Sequence, residues 1–375
     1  MSKFSFHPVG QGLFYTGSIL NGYYNFIYDC GKSIDDNKFI KLIDEYTNQI
    51  HKIDFIVVSH LHSDHFNGLP YLINLCKSKN IPINKIILPY LYGSKNIAYL
   101  LLALTIYDEK EKLNSEEANE LFDLMCSFYQ FKRENQNGIQ VEFIEDNNEF
   151  SEKEFELTGR RQIWKFHFLN KKISQDICNQ LNEKIGNLLA GYSMTDLMRF
   201  INIYKGLALD EIKKIYEEVI IKTKFDKSKE KLDDLNISSI ILLHYPMFKV
   251  SNVLLSDKTD IFYPYNFFLN MFKISNITLT LLTGDAKFDP QMVNYIKNYS
   301  KDRIGIMQVP HHGSKYNYRQ IKKLIEDFDY YAISFGLGNQ YHHPSSEAIN
   351  YILNNNKRSK IYEVNQLSGL YYYID

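Results

Sequence analysis

Four side chains able to bind a metal ion stand within six residues of one another in Ser59-His60-Leu61-His62-Ser63-Asp64-His65. Imidazole and carboxylate are ligands that Zn²⁺ accepts. His60 and His62, two apart, can turn to one side of an extended or tightly turned loop and clasp one ion. Asp64 and His65, further round the turn, can reach a second. Ions in two-metal hydrolytic sites lie about 3.5–4 Å apart, so one loop can serve both. A polar turn with incidental histidines would explain a lone histidine, but not three with an aspartate in this pattern.

The elements that must position these groups are legible on either side. Phe55-Ile56-Val57-Val58 is short, apolar and β-branched, and it reads as a buried strand ending where the ligands begin. Open α/β sheets place their chemistry at the carboxyl ends of strands. Ahead of it, Leu13-Phe14-Tyr15 and Asn25-Phe26-Ile27-Tyr28 flank a turn at Asn21-Gly22, giving an opening hairpin over residues 4–30. Gly10 and Gly12 in Val9-Gly10-Gln11-Gly12 serve turn geometry or bring backbone close to a ligand. Residues 33–49 carry apolar positions at helical spacing, a second helix opens at Asn67-Gly68-Leu69-Pro70, and Lys85–Pro89 follows as a strand. This alternation argues for an α/β layered fold.

Residues 93–235 break the rhythm. Ile97–Phe131 and Ile173–Ile221 have helical periodicity, with candidate caps at Ser115, Ser193 and Thr195. Between them, Ile139–Ile144 and Gln162–Phe168 read as a strand pair, with His167 a half-buried sheet residue. The link from Lys222 to Asp234 is lysine-rich and reads as a solvated face, the alternative being contact with a phosphate backbone. Strands then return at 237–244, 277–282, 304–309 and 330–335. They run towards Thr283-Gly284-Asp285, Pro310-His311-His312-Gly313-Ser314 and Tyr341-His342-His343-Pro344. Seven of the eleven histidines therefore fall in three strand-end clusters, counting the first motif. Asp285 suits a bridging role, because a carboxylate can share its oxygens between two ions.

Composition narrows the setting. The 375 residues suggest one large domain with insertions or two domains, and 45% hydrophobic content is ample for a core. A formal net charge of −1 gives no global field for nucleic acid or an anionic membrane. Cys30, Cys76, Cys126 and Cys178 show neither metal-type pairing nor a disulfide framework, which fits a reducing compartment, the cytoplasm. No signal peptide is read at the start, and no apolar run is long enough to span a membrane.

The ligand loop resembles the HxHxDH signature of the metallo-β-lactamase superfamily. Val9–Gly12, Tyr28–Gly31, Ser59–His65, Leu281–Asp285, His311–Ser314 and Tyr341–Pro344 appear in order. Together they look like the metallo-hydrolase domain of the competence DNA-uptake channel family and its soluble relatives, among them phosphorylcholine esterases. The likeness covers residues 4–92 and 236–375 and leaves out the segment between. It implies an α/β fold, an αββα sandwich of residues 1–92 and 236–375; the segment 93–235, outside the likeness, reads from its own periodicity as a large, mainly helical insertion and a candidate lid or substrate-selecting subdomain. The likeness also implies two zinc ions, with manganese the other candidate. One would be held by His60, His62, Asp285 and His312, the other by Asp64, His65, Asp285 and His343. His311 would stand beside the site as a hydrogen-bonding or proton-donating group, and Asp29 would buttress the ligand loop. Asp64, besides coordinating, can orient a hydroxide nucleophile. His342 reads as a bystander and His244 as a sheet residue. Pro8 and Leu13 occupy places that are usually acidic in the competence-type motif, and the membrane channel is absent.

The chemistry implied is metal-dependent hydrolysis, a bridging hydroxide attacking phosphorus or a carbonyl carbon. A phosphodiesterase of nuclease type, with DNA among its candidate substrates, comes first. A hydrolase of a small phosphodiester, such as a choline-phosphate or nucleotide derivative, keeps the chemistry and changes the substrate. A non-catalytic metal-binding scaffold or sensor is the reading from another class; lost ligands would be its mark, and this set is complete. Nothing specific supports a β-lactamase or lactonase.

Overall fold

Among the described residues the chain forms sixteen strands. The computed structural model describes residues 1–60, 62–89, 139–144, 150–159, 162–171, five helical positions between 179 and 187, 239–247, 253–256, 272–274, 277–288, 290–301, 303–315 and 321–375. In chain order the strands are β1 (Ser2–Phe6), β2 (Phe14–Ile19), β3 (Tyr24–Cys30), β4 (Phe55–Val57), β5 (Lys85–Pro89), β6 (Gln140–Ile144), β7 (Phe150–Gly159) and β8 (Gln162–Lys171). Then come β9 (Ile241–Pro246), β10 (Val253–Ser256), β11 (Phe272–Ile274), β12 (Ile277–Leu282), β13 (Ile304–Gln308), β14 (Tyr330–Ser334), β15 (Lys360–Val364) and β16 (Leu370–Ile374).

They form two sheets, ordered β11-β10-β16-β1-β2-β3-β4-β5-β6 and β15-β14-β13-β12-β9-β8-β7. The sheets face each other across one apolar layer. Phe4, Tyr15, Phe26 and Tyr372 from the first meet Trp164, Phe166, Leu242 and Ile306 from the second, all buried. Each such side chain withdrawn from water contributes about 1.5–3 kcal/mol. One polar chain crosses the layer. Trp164 donates to His244 Nδ1 at 3.3 Å, which leaves Nε2–H to donate to Tyr15 Oη at 2.9 Å; Tyr15 is in turn bonded to Tyr372, and Tyr372 to Thr280. His244 is thus a core residue on β9, as its apolar neighbours suggest.

Helices cover both outer faces. The first, α1 (Asp36–Thr47), is capped by Asp35, whose carboxylate accepts from the amides of Asn37 and Lys38, and it buries Phe39, Leu42, Ile43 and Tyr46 at helical spacing. After the one-turn α2 (Ser63–Phe66), α3 (Leu69–Ser78) packs beside α1, with Phe39 and Tyr71 in ring contact. On the second sheet, α4 (Pro290–Ser300) and α5 (Ser346–Asn355) set Met292, Ile296, Ala348 and Ile352 against Leu243, Leu281, Met307 and Ile333. The layering is an αββα sandwich of the metallo-β-lactamase kind.

The pairing directions determine where chemistry can gather. β3, β4 and β5 run parallel in one sheet, and β12, β13, β14 and β15 run parallel in the other. The segments that follow β3, β4, β12 and β13 meet at one end of the sandwich, as the distances below show. β9 runs antiparallel to β12, so it points the other way and delivers no ligand.

Two sequence expectations need correction. Ile139–Ile144 and Gln162–Phe168 do not pair with each other: β6 extends the first sheet beside β5, and β8 pairs with β7 and β9 in the second. Strand partners are chosen across the fold, so adjacency in sequence misleads here. His167 is fully buried rather than half-buried, hydrogen-bonded to Tyr295 and Tyr245. Among the described residues, the segment 93–235 therefore contributes three strands, β6, β7 and β8, to the two sheets. Its expected helices, their caps, the lysine-rich link, Cys126 and Cys178 lie outside the described residues, apart from the exposed helical positions Asn179, Gln180, Glu183, Lys184 and Asn187.

Candidate metal centre

The ligand loop is pinned from below by an aspartate in an uncommon backbone conformation. Asp29, the penultimate residue of β3, has φ of +58° and is fully buried. Its carboxylate accepts from the Ser59 amide at 2.6 Å, the Ser59 hydroxyl at 2.7 Å and His65 Nδ1 at 2.7 Å. With its proton held on Nδ1, His65 turns Nε2 towards Asp285 Oδ1 at 3.4 Å and Asp64 Oδ1 at 3.9 Å.

Glycines let the loop sit this deep. A methyl group on Gly31 would lie 1.7 Å from the Asp64 carbonyl oxygen, and one on Gly12 would lie 2.8 Å from it. The Leu13 amide donates to that same carbonyl at 3.1 Å. Backbone approach to the ligand loop is thus what Gly12 and Gly31 permit.

The second sheet supplies the opposing wall. Gln308, at the end of β13, accepts from the Thr283 and Gly284 amides at 2.8 and 2.9 Å and fixes the turn that presents Asp285. Gly284 has φ of +51°, and a methyl there would meet the Ser59 hydroxyl at 2.7 Å. Next, Pro310–Gly313 turns through two consecutive left-handed residues, His311 and His312, which sets their rings 89° apart. His312 donates from Nδ1 to the Ser334 carbonyl at 2.8 Å and places Nε2 at 3.1 Å from Asp64 Oδ2. Ser334 in turn donates to the Gly12 carbonyl, tying the two sheets together at the site.

Two groups of converging ligand atoms result: His60, His62 and Asp285, and Asp64, His65 and His312. His60 Nε2 and His62 Nδ1 approach to 3.1 Å, and His60 Nε2 lies 3.8 Å from Asp285 Oδ2. Asp285 thus turns one oxygen to each group. This division differs from the one the resemblance implies, in which His312 joins His60 and His62. The left-handed turn carries His312 to Asp64, while His311 Nδ1 faces Asp285 Oδ2 at 3.8 Å. His311 and His343 stand outside both groups, their rings 5.7 Å apart. His342 is exposed and is not brought to the site.

The electrostatics ask for a cation. Three carboxylates, Asp29, Asp64 and Asp285, share one buried region. Burial works against the charge of Asp64 and Asp285, but His65 and His312 beside the former, and His311 and His65 beside the latter, hold both carboxyls below the usual range. Burial likewise opposes a charge on His65, yet Asp285, Asp29 and Asp64 together raise its pKa well above that of an ordinary imidazole. Burial, followed by His65 and His62, pushes His60 well below it, so His60 offers a lone pair. His65 Nε2, Asp285 Oδ1 and His343 Nδ1 are buried without a hydrogen-bond partner among the described residues. Unpaired buried polar groups are costly, and a divalent cation held between His65 and Asp285 would relieve both of these. The donor set of imidazole nitrogens and carboxylate oxygens suits zinc.

Sequence reasoning passed over Gln308, Ser334 and Asn339 as functional residues. Asn339 accepts from the Tyr341 and His343 amides and donates to the His343 carbonyl, shaping the loop that carries His343. An Asn directly after Gly338 was the available signal.

The family model for the metallo-beta-lactamase superfamily matches residues 19–134, which takes in the first ligand loop but none of the ligands from the second sheet. No curated protein matches the chain. Among the described residues no helix is long and apolar enough to cross a membrane.

Proposed function

From a chain whose residues 19–134 fall in the metallo-beta-lactamase superfamily, we propose a dinuclear metal-dependent hydrolase that cleaves phosphodiesters. The observation that carries this reading is Asp285, whose Oδ1 faces His65 and whose Oδ2 faces His60 and His311. His60, His62 and Asp285 would hold one zinc ion, and Asp64, His65, His312 and Asp285 the other, with His343 closing the open side. Two such ions supply Lewis acidity and an acidified water at neutral pH.

The chain's own residues set up the rest. Asp29 and the Ser334 carbonyl hold the protons of His65 and His312 on Nδ1, so both rings present Nε2 inwards. A phosphodiester presents two unesterified oxygens, one for each ligand group. His311, 28% exposed and turned by Nδ1 to Asp285, is the imidazole positioned to deliver a proton to the departing alkoxide. The resemblance to competence-type hydrolases favours a nuclease substrate. The net charge of −1 favours the second reading, a small diester such as a choline-phosphate or nucleotide derivative, because strong binding to a nucleic-acid backbone draws on an excess of Lys and Arg.

The test is hydrolysis of bis(p-nitrophenyl) phosphate by the zinc-loaded wild type, Asp285→Ala and His62→Ala. Turnover by the wild type alone supports the proposal, with DNA and small diesters then compared directly. Zinc-loaded wild type without turnover overturns it.

A further inference from the structure

Three near-parallel rings lead from the metal centre to the surface. The buried His312 ring lies 6.5 Å from that of His343, inclined by 24°, and the Tyr341 ring follows His343 at 5.8 Å and 19°. Offset stacks of aromatic rings have such spacings. His343 is half-buried and Tyr341 is 54% exposed, so the series reaches solvent at Tyr341.

The loop that carries Tyr341 is held in place. Asn339 accepts from the Tyr341 and His343 amides and donates to the Gly336 and His343 carbonyls. The Gly336 amide donates to Gln11 at 3.2 Å and the Leu337 amide to Gln366 at 2.7 Å. Leu337 on this loop, and Leu367 next to Gln366, are exposed as well. Single exposed apolar side chains are ordinary, but three on two loops bonded to each other beside a metal centre call for an explanation. An aromatic face fixed in advance loses little freedom on binding.

We propose that Tyr341 determines specificity by stacking the base of a nucleoside phosphodiester whose phosphate lies at the two ligand groups. This rests on the phosphodiesterase reading above and narrows its substrates to diesters that carry a nucleobase. A base is flat with a π-face on either side, so one exposed tyrosine ring suits it whatever the base. A quaternary ammonium, as in a choline ester, draws instead on several aromatic faces around one cation. Among the described residues, the other apolar groups at this rim are the aliphatic Leu337 and Leu367.

The experiment compares two diesters with one leaving group, thymidine 5′-(p-nitrophenyl phosphate) and methyl p-nitrophenyl phosphate. Both are given to zinc-loaded wild type, Tyr341→Ala and Tyr341→Phe, and binding of thymidine 5′-monophosphate to each protein is measured by calorimetry. The wild type should use the nucleoside ester with a kcat/KM roughly tenfold or more above that for the methyl ester. Tyr341→Ala should lose most of that preference through a raised KM and bind the monophosphate about tenfold more weakly. Tyr341→Phe should keep both, because stacking needs no hydroxyl. A purely structural role for Tyr341 would slow both esters alike and leave their ratio unchanged, which would overturn the proposal, as would equal use of the two esters by the wild type. Turnover of neither ester would overturn the phosphodiesterase reading, and this proposal with it.

Discussion

Replacing Gly31 by alanine adds a single methyl group where the structure has no room for one. That carbon would lie 1.7 Å from the Asp64 carbonyl oxygen, 2.1 Å from its carbon and 2.6 Å from the His65 amide nitrogen, all backbone atoms. Ordinary contact begins near 3.4 Å, so the Asp64–His65 backbone must retreat by well over 1 Å. That segment carries two candidate ligands, and its Asp64 carbonyl also accepts from Leu13. Overpacking of this kind costs about 1–3 kcal/mol of stability, and a misplacement of about 1 Å at a reacting centre costs roughly a hundredfold in rate. Gly31→Ala should therefore fold with a lowered melting temperature, bind at least one zinc ion markedly more weakly and lose about a hundredfold in diesterase activity. The assays are a thermal melt, metal analysis after dialysis against buffered zinc, and hydrolysis of bis(p-nitrophenyl) phosphate. A variant that keeps both ions and wild-type turnover would refute the reasoning, because the steric premise leaves the loop no way to stay in place.

Other consequences follow from the same geometry. Asp29→Asn removes the charge that orients His65 while keeping the side chain's shape, so zinc affinity measured by competition with a chelator should fall roughly 10–100-fold. His311→Gln should retain bound zinc but slow diesters with alkoxide leaving groups by about 10²-fold or more while sparing p-nitrophenyl esters, whose leaving group needs little protonation. Loss of an ion in that variant would make His311 a ligand instead. Burial lowers both His7 and His244 from 6.5 to about 3, Lys3 adding to the effect at His7. The unfolded chain therefore takes up these protons first as pH falls, and the stability present above about 6.5 drains away towards 3. Each site costs about 2 kcal/mol at pH 5, and His7→Gln should flatten the fall in stability between pH 6 and 4 by about 1.4 kcal/mol per pH unit.

The first ligand loop was legible because it is local: a β-branched strand followed at once by His60, His62, Asp64 and His65 leaves little room for another meaning. Asp285 was nearly as plain, since a strand, a glycine and an acid in succession describe a turn that presents a carboxylate. What the sequence hid was set by contacts made across the fold. Whether His311 or His312 faces Asp64 depends on two left-handed residues in succession, which no side-chain pattern announces. Gln308 and Ser334 look like ordinary strand-end residues until their partners arrive from other strands. The pairing of β6 with β5, and of β8 with β7 and β9, is likewise a choice of distant partners.

The most direct test of the central claim is zinc stoichiometry, measured by titrating zinc into metal-free wild type and Asp285→Ala. Two ions per wild-type chain, with both sites weakened together by loss of Asp285, is the predicted result. A wild type that binds no zinc, or one whose zinc binding is indifferent to Asp285, would contradict it.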